Sequence, residues 1–582
     1  MKKLSILLKS NKKYLLLFIL IVIYSLLYCY FFEREFQFKK GNFDKEIIVD
    51  NFKITENKIE IKFKNGIANY YFKNDNDRME KSELISFGNV LAIKGELVVP
   101  SRNTIPNLFN YRRYLIFQEV DQYIKIEGIE LKGYQNNFKY QIQRYLFKRT
   151  KSFKYSSYFQ SLILGYKSNF DNKLKDTFLD TGLSHILSLS GLHVGLIVFL
   201  LKYFYSLLFK IIELIDLSII ISLFCYALIS FSSLSIYRAI LMYTIYTLAK
   251  WFRIKLEAID ILFITGIILL LYNPLSVNHL GFIFSFLTVF FILMSKSLLK
   301  SKSALINGLK LSCIAFLASF PVVVNTNYQI NFFTPIINTI VVPIFSIIVY
   351  PFTIFTFIFH HFEFIYNYLI ESFEKLVIIL ENNLNGIIIF GRVNIMFITL
   401  YFISLIFFLI SVESKRNILI SGVIFTISLS LAYFDKDLSN YGRVVYLDVG
   451  QGDSTLIDLP NRKGTILIDT GGVVGFNKYL TINTKYSIVK SKTIPYLKSI
   501  GITKINYLIL THGDYDHLGE ATNLIENFKI DNIYINCNGT NNLEKMIIEK
   551  YPTSKAKSFI IGNHHFQVRS CENNKDENDS SV

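Results

Sequence analysis

Between about Leu183 and Phe434 the chain returns repeatedly to apolar runs almost free of charge. The clearest lie near 193–210, 217–236, 239–252, 259–272, 280–297, 307–324, 335–358, 394–412 and 417–434. A helix of about 20 such residues crosses a bilayer, because it satisfies its own backbone polar groups. The same pattern opens the chain, where Tyr14 to Phe32 is uncharged and follows five lysines. At 51% hydrophobic and 16% aromatic residues, a chain of 582 residues cannot hide its apolar surface in a water-facing interior. A purely soluble protein is excluded, and a polytopic α-helical membrane protein is expected.

The charges set the sides. Lysines before Tyr14 put the N-terminus in the cytoplasm by the positive-inside rule. The first run is too long for a signal-peptide core and lacks a small-residue cleavage site, so it is expected to stay as a span. Lys250, Arg253, Lys255, Lys296, Lys300, Lys302, Lys415 and Arg416 mark further cytoplasmic loops. The stretch 364–391 is ambiguous, because Glu371, Glu374, Lys375 and Glu381 interrupt it. It reads either as an interfacial amphipathic helix or as a poorly apolar span. A C-terminal domain outside the cell requires it to cross once. The net charge of +17 reflects Lys-rich loops, or a surface that attracts phosphate backbones. Cys29, Cys225, Cys313, Cys537 and Cys571 contain no CxxC pair, which argues against a disulfide framework or a cysteine zinc site.

Two segments read as folded domains outside the lipid. From about Asp44 to Gly133, Ile59, Ile61 and Phe63 alternate with polar residues, and Asn65-Gly66 supplies a tight turn. Further short strands around Leu91–Val99 and Ile124–Ile126 point to a small OB-like β-barrel. A basic helical stretch follows, with Lys139, Arg144, Lys148, Arg149, Lys151 and Lys154. It reads as a solvated face or as a contact for a polyanion.

Polar residues inside the membrane part carry the next signal. His185, Ser188, Ser190 and His193 lie in GLSHILSLSGLHVGLI, interleaved with Gly191 and Gly195. They fit a surface loop before a tightly packed helix, or the lining of a hydrophilic path. Arg238 is expected between two apolar spans, where a charge is functional or interfacial. Asn273-Pro274, Gly281-Phe282, Asn338 and Pro343 add a broken-helix character.

After Tyr433 the composition turns soluble. An apolar strand over Ile505–Leu510 delivers Thr511-His512-Gly513-Asp514-Tyr515-Asp516-His517. Two imidazoles and two carboxylates on one loop at a strand end suit zinc, manganese or a similar divalent ion.

The segments GLSHILSLSGLHVGL, YRAILM, NPLSVNHLGFIFSF and FTPIINTIVVPIF, in that order, resemble the ComEC family of competence channels. PSRNTIPNLFNYRRYL is similar to that family's link before the membrane part, with departures at Ile105, Pro106 and Asn110. DVGQGDS, LIDTGG and THGDYDHLG resemble a metallo-β-lactamase fold of αββα type, in the branch where aspartate replaces the second histidine of HxHxDH. Glu520 after Gly519 is a further small departure.

The resemblance implies a channel passing single-stranded DNA across the cell membrane during transformation, and the polar His185, Ser190, His193 and Arg238 are the residues expected to line it. It implies a metal-dependent phosphodiesterase or nuclease-like domain. His512 and Asp514 would hold one zinc or manganese ion, while Asp516 and His517 would serve a second and stand in the catalytic positions. Asp469 and Asp448 would orient the ligand loop. Further ligands of a binuclear centre are missing after His517, where only His564 and His565 remain, so this domain is expected to be incomplete.

The expected organisation is a cytoplasmic N-terminus and first span over 1–32, an OB-like domain over 33–135 and a basic linker over 136–182. A polytopic membrane domain over 183–434 and a partial metallo-β-lactamase-like domain over 443–582 follow. Implied partners are DNA, the lipid bilayer, other competence-machinery proteins and a second copy in a homo-oligomer. A membrane-anchored metallohydrolase of a small phosphoester or lipid is the competing expectation, and a solute transporter a further one. The polar His193 and Arg238 count against a mere anchor, which needs neither.

Overall fold

The computed structural model describes residues 12–167, 170–231, 234–434, 440–450, 452–472, 487–535, 542–554 and 558–567. Lys2, Lys3 and Lys9, used above to orient the N-terminus, lie outside the described residues, as do Cys537 and Cys571. Helix Lys12–Glu35 is apolar on all sides and buries only Ser25 and Cys29. Its other apolar faces stay open, a large cost in water and none in lipid.

Six strands follow: β1 (Gly41–Ile48), β2 (Asn51–Ile54), β3 (Lys58–Phe63), β4 (Gly66–Tyr71), β5 (Asn89–Leu97) and β6 (Gln122–Tyr134). They form one sheet in the order β1-β5-β6-β4-β3-β2. Ile59, Ile61 and Phe63 are buried as the alternation requires, and Asn65 turns the β3–β4 hairpin at φ 60°. The OB-like barrel expected from the sequence is not formed. β1 and β2 are the two edges, no pairing among the described residues joins them, and the sheet is open. A period of two specifies which face is buried, whereas closure needs the edges to bond to each other. Here the buried face is covered from outside the sheet: Phe147 of helix Phe138–Lys151, with Leu164 and Tyr166, shares one core with Ile61, Leu91 and Ile124.

Among the described residues six helices are long and apolar enough to cross a membrane: Lys12–Glu35, Gly191–Leu208, Ile212–Ile229, Ala304–Asn327, Thr334–Ile358 and Ile395–Ser414. Ala258–Tyr272, Leu280–Met294 and Ile418–Phe434 are shorter apolar helices. Arg238 does not lie between two spans, as the hydropathy pattern suggested, but in the second turn of helix Leu234–Trp251. The apolar run 217–236 is broken because the preceding helix stops at Ile229. The Phe231 N–H then bonds the Leu164 carbonyl, and its ring lies tilted 4.7 Å from that of Phe87. Hydropathy does not register a break made by such distant contacts.

The ambiguous stretch is a helix, Glu363–Asn383. It buries Tyr366, Ile370, Phe373 and Val377 along one stripe, while Glu371 and Lys375 pair on the open side. Its start is tied to the basic stretch: Arg149 donates to the Phe357 and Ile358 carbonyls, and Glu363 accepts from the Lys154 N–H. Arg149 thus closes the C-terminal end of helix Thr334–Ile358, where a cation is favourable. Short strands on either side, β7 (Gln329–Asn331) and β8 (Ile387–Ile389), pair antiparallel. Their pairing brings the chain back beside its starting point after the two helices between them.

The C-terminal part is a five-stranded sheet of β9 (Arg443–Tyr446), β10 (Thr455–Asp458), β11 (Thr465–Ile468), β12 (Ile505–Leu510) and β13 (Ile530–Ile535). The order is β13-β12-β11-β10-β9, with β11, β12 and β13 parallel. One face packs on helices through Leu456, Leu467, Leu508 and Leu524. The other meets a hairpin, β14 (Ser558–Ile561) and β15 (His564–Gln567), through Phe559 and Ile561. Ile105, from the link after the N-terminal sheet, is inserted into the helix-side core, with Leu108 beside it.

Around that insertion three parts of the chain meet at Asn107. Its side chain receives a hydrogen bond from Arg392 at 2.8 Å and donates to Ser499 at 3.3 Å, and its carbonyl accepts from Tyr328. The Arg392 N–H also bonds the Ser499 carbonyl at 2.7 Å. A cavity of about 570 Å³ opens beside this junction, lined by Asn107, Arg392, Arg443 and Ser499 among others.

Candidate functional site

The loop Thr511–His517 leaves the C-terminal end of β12, where loops of a parallel sheet converge. Asp469 stands at the end of neighbouring β11, 3% exposed and in the left-handed region at φ 56°. Its carboxylate accepts from the Thr511 N–H at 2.9 Å, the Thr511 hydroxyl at 2.6 Å and His517 Nδ1 at 2.9 Å. The Nδ1–H bond leaves Nε2 as the free nitrogen of His517, the arrangement that orients a ligating imidazole. Thr470 adds a second tie, its N–H and hydroxyl both bonding the His517 carbonyl.

Three glycines let this loop lie flush on its neighbours. A Cβ at Gly452 would sit 1.8 Å from the Asp516 carbonyl oxygen, and one at Gly472 2.0 Å from that of Tyr515. A Cβ at Gly519 would meet the same Tyr515 oxygen at 2.4 Å. Glu520, the departure after Gly519, is buried and accepts from Ser487 and Asn523.

The four expected donors are not brought together equally. The His512 and His517 rings lie tilted against each other with centroids 4.0 Å apart, and Asp514 lies 3.5 Å from His512 Nε2. Asp516 joins neither imidazole by a hydrogen bond or ion pair, and His564 and His565 are exposed on the hairpin. Among the described residues no three His, Cys, Asp or Glu side chains converge closely enough to hold a metal ion. A catalytic zinc of this kind takes three protein donors. The residues present do not make a metal centre by themselves, and no reaction step is derived through one.

Asp448 does not orient the ligand loop. It accepts from Thr104 of the inserted link and from the Gly450 N–H, and it pairs with Lys492 at 3.6 Å. The Thr104 hydrogen bond is the main cause that holds its carboxyl below the ordinary range. Asp448 is therefore a fastening between the two folded parts. No local motif announces this, because its partner is distant in sequence.

Asp469→Ala is expected to destabilise the C-terminal sheet by about 3 kcal/mol, since hydrogen bonds to a charged group contribute about 1.5–3 each and a buried donor is orphaned. Pulse proteolysis of the full chain in urea, read at a C-terminal tag, measures this. Unchanged protection would mean that Asp469 does not hold the loop.

In the membrane part the structure gathers three of the four expected channel residues at the start of helix Gly191–Leu208. Ser190 caps it and donates its N–H to His193 Nδ1 at 3.1 Å. His193 is 2% exposed, its Nε2 has no hydrogen-bond partner, and its ring lies edge-on 4.6 Å from Tyr350. Arg238 is 6% exposed and reaches the same helix start, where a Cβ on Gly191 would lie 2.9 Å from its Nη2. His185 stays apart in the preceding loop, bonded to the Gly182 carbonyl at 3.2 Å.

A helical membrane part with buried polar residues at helix starts, joined to a sheet that presents a histidine–aspartate loop, defines a multi-pass membrane protein carrying a hydrolase-like domain. Residues 162–415 match the family model described as competence protein, and residues 447–536 match that of the metallo-beta-lactamase superfamily. The chain is 26% identical over 480 residues to ComE operon protein 3 of Bacillus subtilis (strain 168). The match covers 78% of this chain and 62% of that protein, so the chain spans less than two thirds of its relative's length. No solved structure matches it. The membrane part is thus ComEC-like, and the C-terminal sheet that follows it is metallo-β-lactamase-like.

Proposed function

We propose that the membrane part passes single-stranded DNA across the cytoplasmic membrane, with the C-terminal sheet as a nuclease-related module on the outer side. The observation that carries this reading is the burial of His193 and Arg238, with half-buried Ser190 beside them, at one helix start within the competence-family segment. Buried polar groups at membrane depth are costly, and an anchor has no use for them. A nuclease role for the C-terminal module rests on the superfamily match and on the paired imidazoles of His512 and His517. Zinc or manganese bound there would require donors beyond those that converge in the described residues. Other competence proteins, and a second copy of the chain, are the expected partners.

Uptake of labelled DNA tests the reading. Cells lacking the chain should import no single strand, and the wild-type gene should restore import. A deletion strain that imports normally while losing hydrolysis of a small phosphoester would favour a membrane-anchored metallohydrolase instead.

The contacts also support one topology. Ser297 bonds Glu413 at 2.5 Å, which puts the basic loops at 296–302 and 415–416 on one side. Lys250 pairs with Asp216 at 3.3 Å across two antiparallel helix ends. The Asn107 junction puts the N-terminal sheet's link, Arg392 and the C-terminal sheet together at another level. Because β7 and β8 pair, residues 332–386 leave the side unchanged whether or not helix Glu363–Asn383 crosses. With the basic loops cytoplasmic, both sheets face outward. Protease added to intact protoplasts should cut both sheets and spare loops 250–255 and 296–302. Cleavage of the N-terminal sheet with the C-terminal sheet protected would overturn this topology.

A further inference from the structure

Arg238 is held in an unusual way for a buried cation. Nη1 donates to the Ser285 carbonyl of helix Leu280–Met294, while Nε is buried with no hydrogen-bond partner. Nη2 lies against Gly191 and makes no hydrogen bond or ion pair with any described residue. The free side of the guanidinium is therefore its Nε–Nη2 edge, whose two parallel N–H groups match two oxygens of one phosphate. This edge sits at the N-terminal end of the 18-residue helix Gly191–Leu208, which is the positive end of its dipole. Cation and helix end repel each other, and no carboxylate among the described residues pairs with Arg238. Beyond the Ser285 carbonyl and the Phe286 ring, which the guanidinium overlies at 6.0 Å, an anion would make this pairing of charges favourable.

We infer that the Nε–Nη2 edge of Arg238 and the first turn of helix Gly191–Leu208 form a receptor for a phosphodiester anion. The inference rests on the proposed passage of a DNA strand and gives that passage a specific internal contact. The approach to the site is basic as well. His279 caps helix Leu280–Met294, the helix that supplies Ser285, through a bond from the Gly281 N–H at 3.1 Å. Burial, with the nearby ammonium groups of Lys167 and Lys62, holds the His279 imidazole below its ordinary value. Lys62 and Lys167 are themselves exposed. A strand coming from the outer face of β3 would meet the ammonium groups of Lys62 and Lys167 before Arg238. Such a graded run of positive charge suits a polyanion better than a single small ion.

Gly191 is part of the receptor, because its missing Cβ gives Nη2 its place. The Gly191 backbone is outside the left-handed region and alanine can adopt it, so Gly191→Ala tests the space at Nη2 without backbone strain. The test uses the full chain in nanodiscs of zwitterionic lipid, with a single-stranded homopolymer titrated across a range of salt. Arg238→Gln should lower affinity about tenfold or more and flatten the salt dependence by about 0.7 in log–log slope, the amount expected for one phosphate contact on a single strand. Arg238→Lys, which keeps charge but loses the fork, and Gly191→Ala should each weaken binding in the same direction. A homopolymer with neutral methylphosphonate linkages should bind wild type and Arg238→Gln equally.

Wild-type binding with no change in affinity or slope in these variants would overturn the receptor while leaving DNA passage intact. Wild-type discs that bind no strand beyond protein-free discs would remove both. If anionic phosphatidylglycerol, with no strand present, raises the unfolding temperature only when Arg238 is present, and strand binding ignores Arg238, the site belongs to a lipid headgroup and the inference is overturned.

Discussion

Arg238→Met should lower import of labelled DNA by about 100-fold or more, two lost charge-assisted hydrogen bonds at about 1.5–3 kcal/mol each being sufficient. The same change should leave the protein as abundant and as stable as wild type, or more so. A buried charge without a counter-charge is a burden on the fold, and an apolar side chain of similar length relieves it. The Ser285 carbonyl that loses its donor belongs to a helix and keeps its backbone role. Methionine also fills the space beside Phe286, which the guanidinium now overlies at 6.0 Å. Function and stability are thus expected to move in opposite directions, which a merely structural arginine would not produce. Membrane abundance by immunoblot and import of nuclease-resistant label, measured in the same cells, decide the matter. Normal import by Arg238→Met would mean that the residue is interfacial.

Gly452→Ala should be the most damaging small substitution in the C-terminal sheet. Its φ of +94° is a conformation an L side chain rarely adopts, and the new Cβ would overlap the Asp516 carbonyl oxygen at 1.8 Å. The obstacle is backbone, so the loop carrying His512 and His517 must move away from the sheet. A loss of about 3 kcal/mol or more is expected from strain and overpacking together. Gly450 supplies the control. It has a φ of +88° with nothing within 4 Å of its would-be Cβ, so Gly450→Ala should cost only about 1 kcal/mol in backbone terms. Pulse proteolysis of the full chain should show the C-terminal sheet of Gly452→Ala cut at far lower urea, with the membrane part unaffected. Equal resistance in the two alanine variants would mean that the close approach to Asp516 is not what orders the loop.

Features that depend on near neighbours were readable from sequence. The apolar runs became helices because hydropathy is a local property, and Ile59, Ile61 and Phe63 turned inward because strand periodicity is local too. The loop from Thr511 to His517 announced itself because its polar residues are contiguous and follow an apolar strand. Features that depend on distant partners were not readable. Whether β1 and β2 meet to close a barrel depends on what else covers the inner face, and Phe147, Leu164 and Tyr166 do so from outside the sheet. Arg238 falls inside a helix because Phe231 is drawn away by Leu164 and Phe87. Asp448 serves Thr104, a residue 344 positions earlier. Contiguity does not bring the donors together equally: His512 lies beside His517 and Asp514, while no three such donors cluster among the described residues.

The central claim is that a DNA strand passes the start of helix Gly191–Leu208, and site-directed photocrosslinking tests it most directly. A photoreactive amino acid at position 190 lies beside His193 and Arg238, whereas one at Phe199, 70% exposed on the same helix, faces outward. In cells taking up end-labelled DNA, illumination should attach single-stranded label to the chain from position 190 and not from position 199. The attachment should disappear when Arg238 is replaced by methionine. Label attached equally from both positions, or from neither while import proceeds, would contradict a path through this site.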